Sequence, residues 1–199
     1  MSEVSGKPYP VSLDVDFQEG PRDRLTTFFR FWTSLPIIFL AGLVAGSEDS
    51  SGGLLVLPTG AMILFRQKYP RWWFDWNLKM VRFLSRINVY WALLRDEYPS
   101  TDEEQAVHLD IVYPDAETEL NRWLPLVKWI LAIPHFFVLS FLAMAVAACI
   151  LASWFAILFT AQMPRSLFDF IVGYMRWATR VACYAFLMTT DEYPPFSLD

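Results

Sequence analysis

The sequence is poor in charge, histidine and cysteine, and each shortage argues against a class of function. Only 19% of its 199 residues are charged, the net charge is −5, and there are two histidines and two cysteines. An acidic chain is poorly suited to neutralise phosphates, so we expect no nucleic-acid partner. Cys149 and Cys183 both lie in apolar surroundings, and we interpret them as packing residues rather than a disulfide or metal pair.

The chain also lacks the motifs of common enzymes. It has no glycine-rich phosphate loop, no nucleophile beside a base, and no His/Cys cluster with metal-ligand spacing. We therefore predict a protein that is not an enzyme and needs no cofactor. Residues 1–23 are polar and have no apolar central segment, so we also predict no cleavable signal peptide.

His135 is the only titratable residue deep inside an apolar run. Such a residue is a functional candidate in a membrane protein. However, no carboxylate, cysteine or second histidine stands at ligand spacing from it. We therefore favour a hydrogen-bonded packing histidine over a functional one.

Apolar residues, in contrast, are abundant and are arranged in long charge-free runs. Hydrophobic residues make up 55% of the chain and aromatic residues 17%, more than a soluble domain of this size usually carries. Residues 31–47, 50–65 and 129–164 contain no Lys, Arg, Asp or Glu. Such runs are typical of proteins that enter the hydrocarbon core of a bilayer, which is about 30 Å thick.

A long segment of the chain occurs twice. Residues 70–99 return in outline as residues 164–194, and both copies end in Asp-Glu-Tyr-Pro. The matching positions are Arg24/Arg122, Arg30/Lys128, Pro36/Pro134, Pro70/Pro164, Arg71/Arg165, Phe74/Phe168, Asp75/Asp169, Arg82/Arg176, Arg86/Arg180 and Tyr90/Tyr184. We predict a tandem repeat, with repeat 1 at residues 9–99 and repeat 2 at residues 107–194.

Each repeat opens on an alternation of apolar and polar residues. Residues 9–17 and 107–113 both show the period of a half-buried strand. Because the two predicted strands stand at matching places, they can pair with each other. A two-stranded ribbon is marginal on its own, so we expect it to lie on the amphipathic helices or to join strands from another subunit.

The charge-free runs predict a helical hairpin in each repeat. Repeat 1 has its hairpin at residues 25–65, with a polar, glycine-containing tip at residues 46–53. Repeat 2 has no such tip, and by analogy we predict a hairpin at residues 123–162 that turns near residues 142–149. Each helix then has about 16 or 17 apolar residues, the short end of what spans a bilayer. Locally thinned lipid and hairpins that return without crossing are both open.

Each hairpin is followed by a predicted amphipathic helix, at residues 70–94 and 164–188. The polar side chains fall on one stripe of each helix, opposite an aromatic, apolar face. The candidate site residues on these stripes are Arg71, Asp75, Arg82, Arg86, Arg165, Asp169, Arg176 and Arg180. An arginine at mid-bilayer costs about 2.5–3.5 kcal/mol, so we place both helices in the membrane interface.

Three roles are open for these stripes. Simple interfacial anchoring is favoured, specific binding of anionic lipid or of a partner comes second, and a buried stripe that lines a polar passage comes third. The Asp-Glu acids that end each helix oppose the helix macrodipole. We therefore predict that they pair with arginines elsewhere, namely Arg24 and Arg122.

Basic residues predict the orientation in the membrane. All 16 Lys and Arg residues lie outside the predicted hairpin tips, on the side that carries both termini. By the positive-inside rule that side is cytoplasmic. The predicted location is therefore the cytoplasmic membrane, as a multi-pass protein with both termini in the cytoplasm.

The chain contains twice the same order of a strand, a short hairpin, an amphipathic helix and a closing Asp-Glu-Tyr-Pro. This order resembles a family of bacterial integral membrane proteins that is catalogued only as a domain of unknown function. The resemblance runs from about Tyr9 to Pro194. It implies no activity, ligand or catalytic residue, since the family has none assigned. It supports the repeat and the membrane placement.

These observations define one expectation and one alternative. The fold is a mainly α membrane protein, built as a tandem repeat of short β-strand, apolar helical hairpin and interfacial amphipathic helix. The function is that of a structural or accessory component of a membrane assembly, with membrane lipids and either its own copies or a larger membrane complex as partners. The alternative is a small oligomeric channel or lipid-handling protein.

Overall fold

The computed structural model describes residues 9–45, 48–101 and 103–199, and it is mainly helical with one small sheet. The strands are β1 (Val11–Val15) and β2 (Val107–Ile111), and the helices are α1 (Arg24–Ala45), α2 (Glu48–Arg66), α3 (Arg71–Trp91), α4 (Lys128–Leu131), α5 (Ile133–Thr160) and α6 (Arg165–Ala182). A short 3₁₀ helix at Leu124–Leu126 precedes α4, and a π-helical turn at Cys183–Leu187 follows α6. The predicted mainly α composition with short strands is confirmed.

The two strands form an antiparallel ribbon, as their matching positions predicted. Val11 lies opposite Ile111, and Val15 lies opposite Val107. The apolar side of the ribbon is buried, whereas Asp14 and His108 lie on the outer side. The ribbon therefore has one face on the core and one face in solvent, which is the arrangement that the alternation requires.

Helices α3 and α6 lie directly beneath the ribbon. β2 packs against α3, and β1 packs against α6. Each helix begins immediately after a proline in extended conformation, Pro70 and Pro164. The fixed φ of proline and its missing N–H suit the start of a helix. The predicted amphipathic helices, at residues 70–94 and 164–188, are present, but the α-helical part of each one ends a few residues earlier than predicted.

Helix α5 corrects the prediction for the second hairpin. It is one continuous helix of 28 residues, so the predicted turn near residues 142–149, and with it the hairpin at residues 123–162, is wrong. The physical reason is that residues 135–163 contain neither glycine nor proline and are rich in Ala, Leu, Phe and Met, so nothing interrupts the helix. The helix ends where Ala161 adopts a left-handed conformation, with φ of 58°.

Helices α1 and α2 occupy the range of the first predicted hairpin. Of its predicted tip, residues 46–47 lie outside the described residues, and residues 48–53 form the first turns of α2. α1 packs on α3 through a cluster of Ile37, Phe83 and Ile87. It also packs on α5, where the indole Nε1 of Trp154 donates a hydrogen bond to the carbonyl of Thr27 at 3.3 Å.

Among the described residues, α5 is the one helix that is both long and apolar enough to cross a membrane. Its most apolar window has a mean hydropathy of 2.5, yet only 17% of that window is buried within the protein. The core helix of a soluble protein would be mostly buried. By its length and composition alone, α5 is thus a candidate membrane-spanning helix.

The continuity of α5 gives a testable prediction. Ala148 is exposed on its surface, so Ala148→Pro removes one backbone hydrogen bond and clashes with the preceding turn without disturbing a buried contact. In a continuous helix we expect a loss of roughly 3 kcal/mol in the free energy of unfolding, measured in detergent micelles. Ala148→Leu is the matched control and should be close to neutral. A proline variant as stable as the control would restore the predicted turn.

Candidate functional site

The middle of each polar stripe contacts the ribbon. The guanidinium of Arg82 donates through Nε to the carbonyl of Leu109 at 2.9 Å and pairs with Asp110 at 3.0 Å. Arg176, at the matching position, donates through Nε to the carbonyl of Leu13 at 2.9 Å and pairs with Asp14 at 2.6 Å. Each helix therefore holds one strand by a two-point contact to a backbone carbonyl and the next carboxylate.

The next arginine along each stripe holds the segment that follows the helix. Arg86 donates to the carbonyl of Ser100 at 2.6 Å. Arg180 donates to the carbonyl of Ser197 at 2.9 Å and to that of Asp199 at 2.5 Å. Burial lowers the pKa of Arg180. The middle of each stripe thus faces the chain itself rather than only a membrane interface.

The start of each stripe remains exposed. Arg71 pairs with Asp75 at 3.1 Å, and Arg165 pairs with Asp169 at 3.0 Å, with all four side chains about half exposed or more. Each guanidinium also lies over an aromatic ring that follows a strand: Arg71 is 4.7 Å from the centre of the Tyr113 ring. Exposed ion pairs contribute at most about 1 kcal/mol. Binding of lipid or a partner at these positions stays a prediction.

Two buried ion pairs close the ends of the amphipathic helices. Arg30 pairs with Asp96 at 2.5 Å, and Lys128 pairs with Asp191 at 2.6 Å. The side chains of the two cations are 6% and 1% exposed. In both pairs the cation is more buried than the carboxylate, whose side chain is 20% exposed.

The prediction that Arg24 and Arg122 neutralise the terminal acids is therefore wrong. Arg24 donates instead to the carbonyl of Phe159 at 3.2 Å, and Arg122 donates to that of Phe65 at 3.4 Å. The physical reason is the direction of each side chain, since Arg24 is exposed whereas Arg30 lies on the buried side of the same helix. The terminal acids predicted cationic partners, and the matched pair Arg30/Lys128 provides them. Residue spacing alone did not distinguish this pair from Arg24/Arg122.

The buried cations also bond to backbone carbonyls, one in the last turn of α3 and one in the segment that follows α6. Arg30 donates to the carbonyl of Tyr90 at 2.8 Å, and the ammonium of Lys128 donates to that of Thr190 at 2.7 Å. Cations near a helix C-terminus are favoured by the macrodipole and by the unpaired carbonyls there. At the end of α3, Arg30 lies between the Tyr90 carbonyl and the Asp96 carboxylate, and it therefore offsets the unfavourable interaction of that acid with the helix macrodipole.

Burial affects the protonation of Lys128. Desolvation lowers the pKa of its ammonium, and the adjacent Asp191 carboxylate opposes that shift. A buried charge without its partner is costly, whereas a complete pair roughly balances its desolvation. The arrangement therefore suits a structural ion pair.

His135 has the packing role that the sequence favoured. It is fully buried, and its Nδ1 accepts a hydrogen bond from the indole Nε1 of Trp177 at 3.1 Å. The ring of Phe196 stacks on it at 4.0 Å between centroids, and Tyr193 contacts it at 4.8 Å. The histidine thus joins α5, α6 and the C-terminal segment.

Two of the cavities lie beside residues that have been described. One cavity of about 510 Å³ lies beside Asp191 and Glu192, and an apolar groove of about 480 Å³ lies between Phe28, Trp91 and Trp154. No group of three or more His, Cys, Asp or Glu residues in the described ranges is placed to hold a metal ion. Both cysteines are free thiols.

Comparison with known proteins identifies part of the chain. A family profile described as Domain of unknown function (DUF4389) matches residues 123–197, which is 75 of the 199 residues. No curated protein and no solved structure is similar enough to the chain to be matched. A domain of unknown function is therefore present, and it coincides with most of predicted repeat 2.

The contrast between buried and exposed pairs gives a second prediction. Lys128→Met leaves the Asp191 carboxylate without its cation, and we expect a loss of roughly 3–5 kcal/mol in the free energy of unfolding in micelles. Arg71→Met, the control at an exposed pair, should cost no more than about 1 kcal/mol. The double variant Lys128→Met/Asp191→Asn should recover most of the first loss. Equal losses in the two single variants would contradict a structural role for the buried pair.

Proposed function

We propose that the chain is a non-enzymatic tandem-repeat protein embedded in the cytoplasmic membrane, where it serves as a structural or accessory component of a membrane assembly. The observation that carries this proposal is the separation of the surface into two sides. The side formed by α1 and α5 is apolar, whereas the outer face of the ribbon carries aspartates. Such a surface suits a protein that lies between lipid and water.

The apolar side is extensive. On α5 the exposed large residues are Ile133, Phe137, Phe141, Met144, Leu151, Phe155 and Phe159. Their spacing of three, four or seven residues places them on one face along the whole helix. Soluble proteins rarely expose contiguous apolar patches larger than a few hundred Å². Lipid chains would cover this face without any polar partner.

Matching contacts at matching positions support the repeat. Arg82 and Arg176 each make the same two-point contact to a strand. The contacts are crossed, because α3 of repeat 1 holds β2 of repeat 2, and α6 of repeat 2 holds β1 of repeat 1. The buried pairs Arg30–Asp96 and Lys128–Asp191 likewise stand at matching positions, each within one repeat.

The exposed pairs at the start of α3 and α6 fit anionic lipid headgroups. Trp72, beside Arg71, is 68% exposed, and exposed tryptophans are enriched where headgroups meet acyl chains. A cation near an anionic membrane surface contributes about 1 kcal/mol to binding. The positive-inside rule places the ribbon and both termini on the cytoplasmic side.

The structural or accessory role is preferred to the channel. A conduit needs polar groups that face a lumen, whereas the arginines in the middle of both stripes are engaged by the chain's own carbonyls. One observation supports a lipid-handling role, namely the apolar groove between Phe28, Trp91 and Trp154.

Membrane retention tests the placement. Phe141→Lys/Phe155→Lys puts charge on the exposed face of α5, so we expect alkaline carbonate to release much more of this variant than of the wild-type chain. Val112→Lys is the control, because Val112 is 61% exposed but follows β2 on the ribbon; it should stay in the membrane fraction. Release of the wild-type chain itself would contradict the proposal.

The mass of the complex in mild detergent tests the assembly. We expect the 23.1 kDa chain to co-purify in a larger complex of fixed stoichiometry. A lone monomer in several mild detergents would contradict an accessory role. A symmetric homo-oligomer that conducts ions in planar bilayers would favour the channel instead.

A further inference from the structure

The direction of α5 relative to α6 limits how α5 can enter a membrane. The two helices pack against each other. His135, near the start of α5, bonds to Trp177 in the last turns of α6. Near the other end, Ile157 shares a buried cluster with Phe168, close to the start of α6. The two helices therefore run in opposite directions.

β1 also runs along α6, on the face that carries the arginine stripe. Arg165, at the start of α6, lies 4.6 Å from the centre of the Phe17 ring. Eleven residues later Arg176 bonds to the carbonyl of Leu13. Four strand residues span about 13 Å and eleven helical residues about 16 Å. The ribbon and α5 thus both lie along α6, and β1 and α5 both run in the direction opposite to α6.

This layering makes a bilayer crossing by α5 costly. If α5 crossed, the ribbon beside it would lie at the depth of the hydrocarbon core. The carboxylates of Asp14 and Asp110, 64% and 79% exposed, would then meet lipid. A charged residue at that depth costs several kcal/mol, and an open sheet edge in contact with lipid is not observed.

We propose that α5 lies along the bilayer rather than across it, with its exposed apolar face in one leaflet and both of its ends on the same side. The proposal rests on the membrane placement given above. One leaflet of hydrocarbon is about 15 Å thick, half of the core, and a helix is about 10 Å in diameter. A single helical layer therefore fits, with α6 at the interface and the ribbon in water.

This placement explains three further observations. The length of 28 residues, about 42 Å, exceeds the thickness of the core but is unrestricted along the membrane plane. The exposed aromatic face runs the whole length of α5 instead of ending at two interfacial belts. Trp123 and Trp129, 67% and 56% exposed just before α5, can lie at the interface.

Cysteine labelling distinguishes the two placements in the full chain. Thr118→Cys and Ser166→Cys put exposed thiols before and after α5, in a Cys149→Ala background. Cys183 can stay, because burial raises the pKa of its thiol to about 12 and keeps it unreactive. In spheroplasts treated with a membrane-impermeant maleimide, we expect the two sites to behave alike, both protected until the cells are permeabilised. A helix that crosses the membrane would label at one site and not at the other.

Depth measurements provide the second arm. Spin labels at Phe137, Met144, Leu151 and Phe155, in vesicles of phosphatidylethanolamine and phosphatidylglycerol, report the ratio of collisions with oxygen to collisions with a water-soluble nickel chelate. We expect four nearly equal ratios, all far above that of a label at Ser12 on the ribbon. A ratio that peaks at Met144 and falls toward both ends would overturn the proposal while leaving the membrane placement intact. Ratios on α5 as low as that at Ser12 would overturn the membrane placement itself.

Discussion

The contact of Arg82 and Arg176 with the backbone carbonyls of the strands is the interaction on which the rest of the structure depends. A two-stranded ribbon is marginal alone, and an arginine stripe without acceptors would keep its helix face in water. By joining them, each guanidinium fixes a strand and satisfies the polar face of its helix at once. The apolar faces of α3 and α6 then lie on the side away from the ribbon. There α1 and α5 cover them and expose aromatic residues on the outer surface.

The crossed pattern of these contacts has a consequence for folding. The helix that holds β1 lies about 160 residues later in the chain, and β2 is held by a helix that precedes it. Neither proposed repeat therefore contains both the helix and the strand of one contact, and each depends on the other for a complete core. The family profile that matches residues 123–197 covers α6 but not its partner strand β1, so it describes a part whose polar stripe is completed from the other half of the chain.

Much of the fold followed from sequence patterns whose physics is local. Alternation predicted the strands and their pairing, and the arginine stripes identified α3 and α6, because both signals depend on residue spacing along one element. The prediction of a turn in α5 was wrong because it was made by analogy with residues 46–53 of the first repeat. The second repeat does not share the polar and glycine-rich composition of those residues. The predicted partners of Asp96 and Asp191 were wrong for another reason. Arg24 and Arg30 are equally cationic, and only the tertiary structure shows which of the two is directed to the helix end.

With α5 along the bilayer as we propose, the protein occupies one leaflet and the water beside it. Neutron reflectometry on a supported bilayer that carries the full chain measures this distribution directly, through the scattering-length density along the membrane normal. We expect protein density in a single leaflet and in the adjacent aqueous layer, with the opposite leaflet close to pure lipid. Protein density that continues through both leaflets would contradict it.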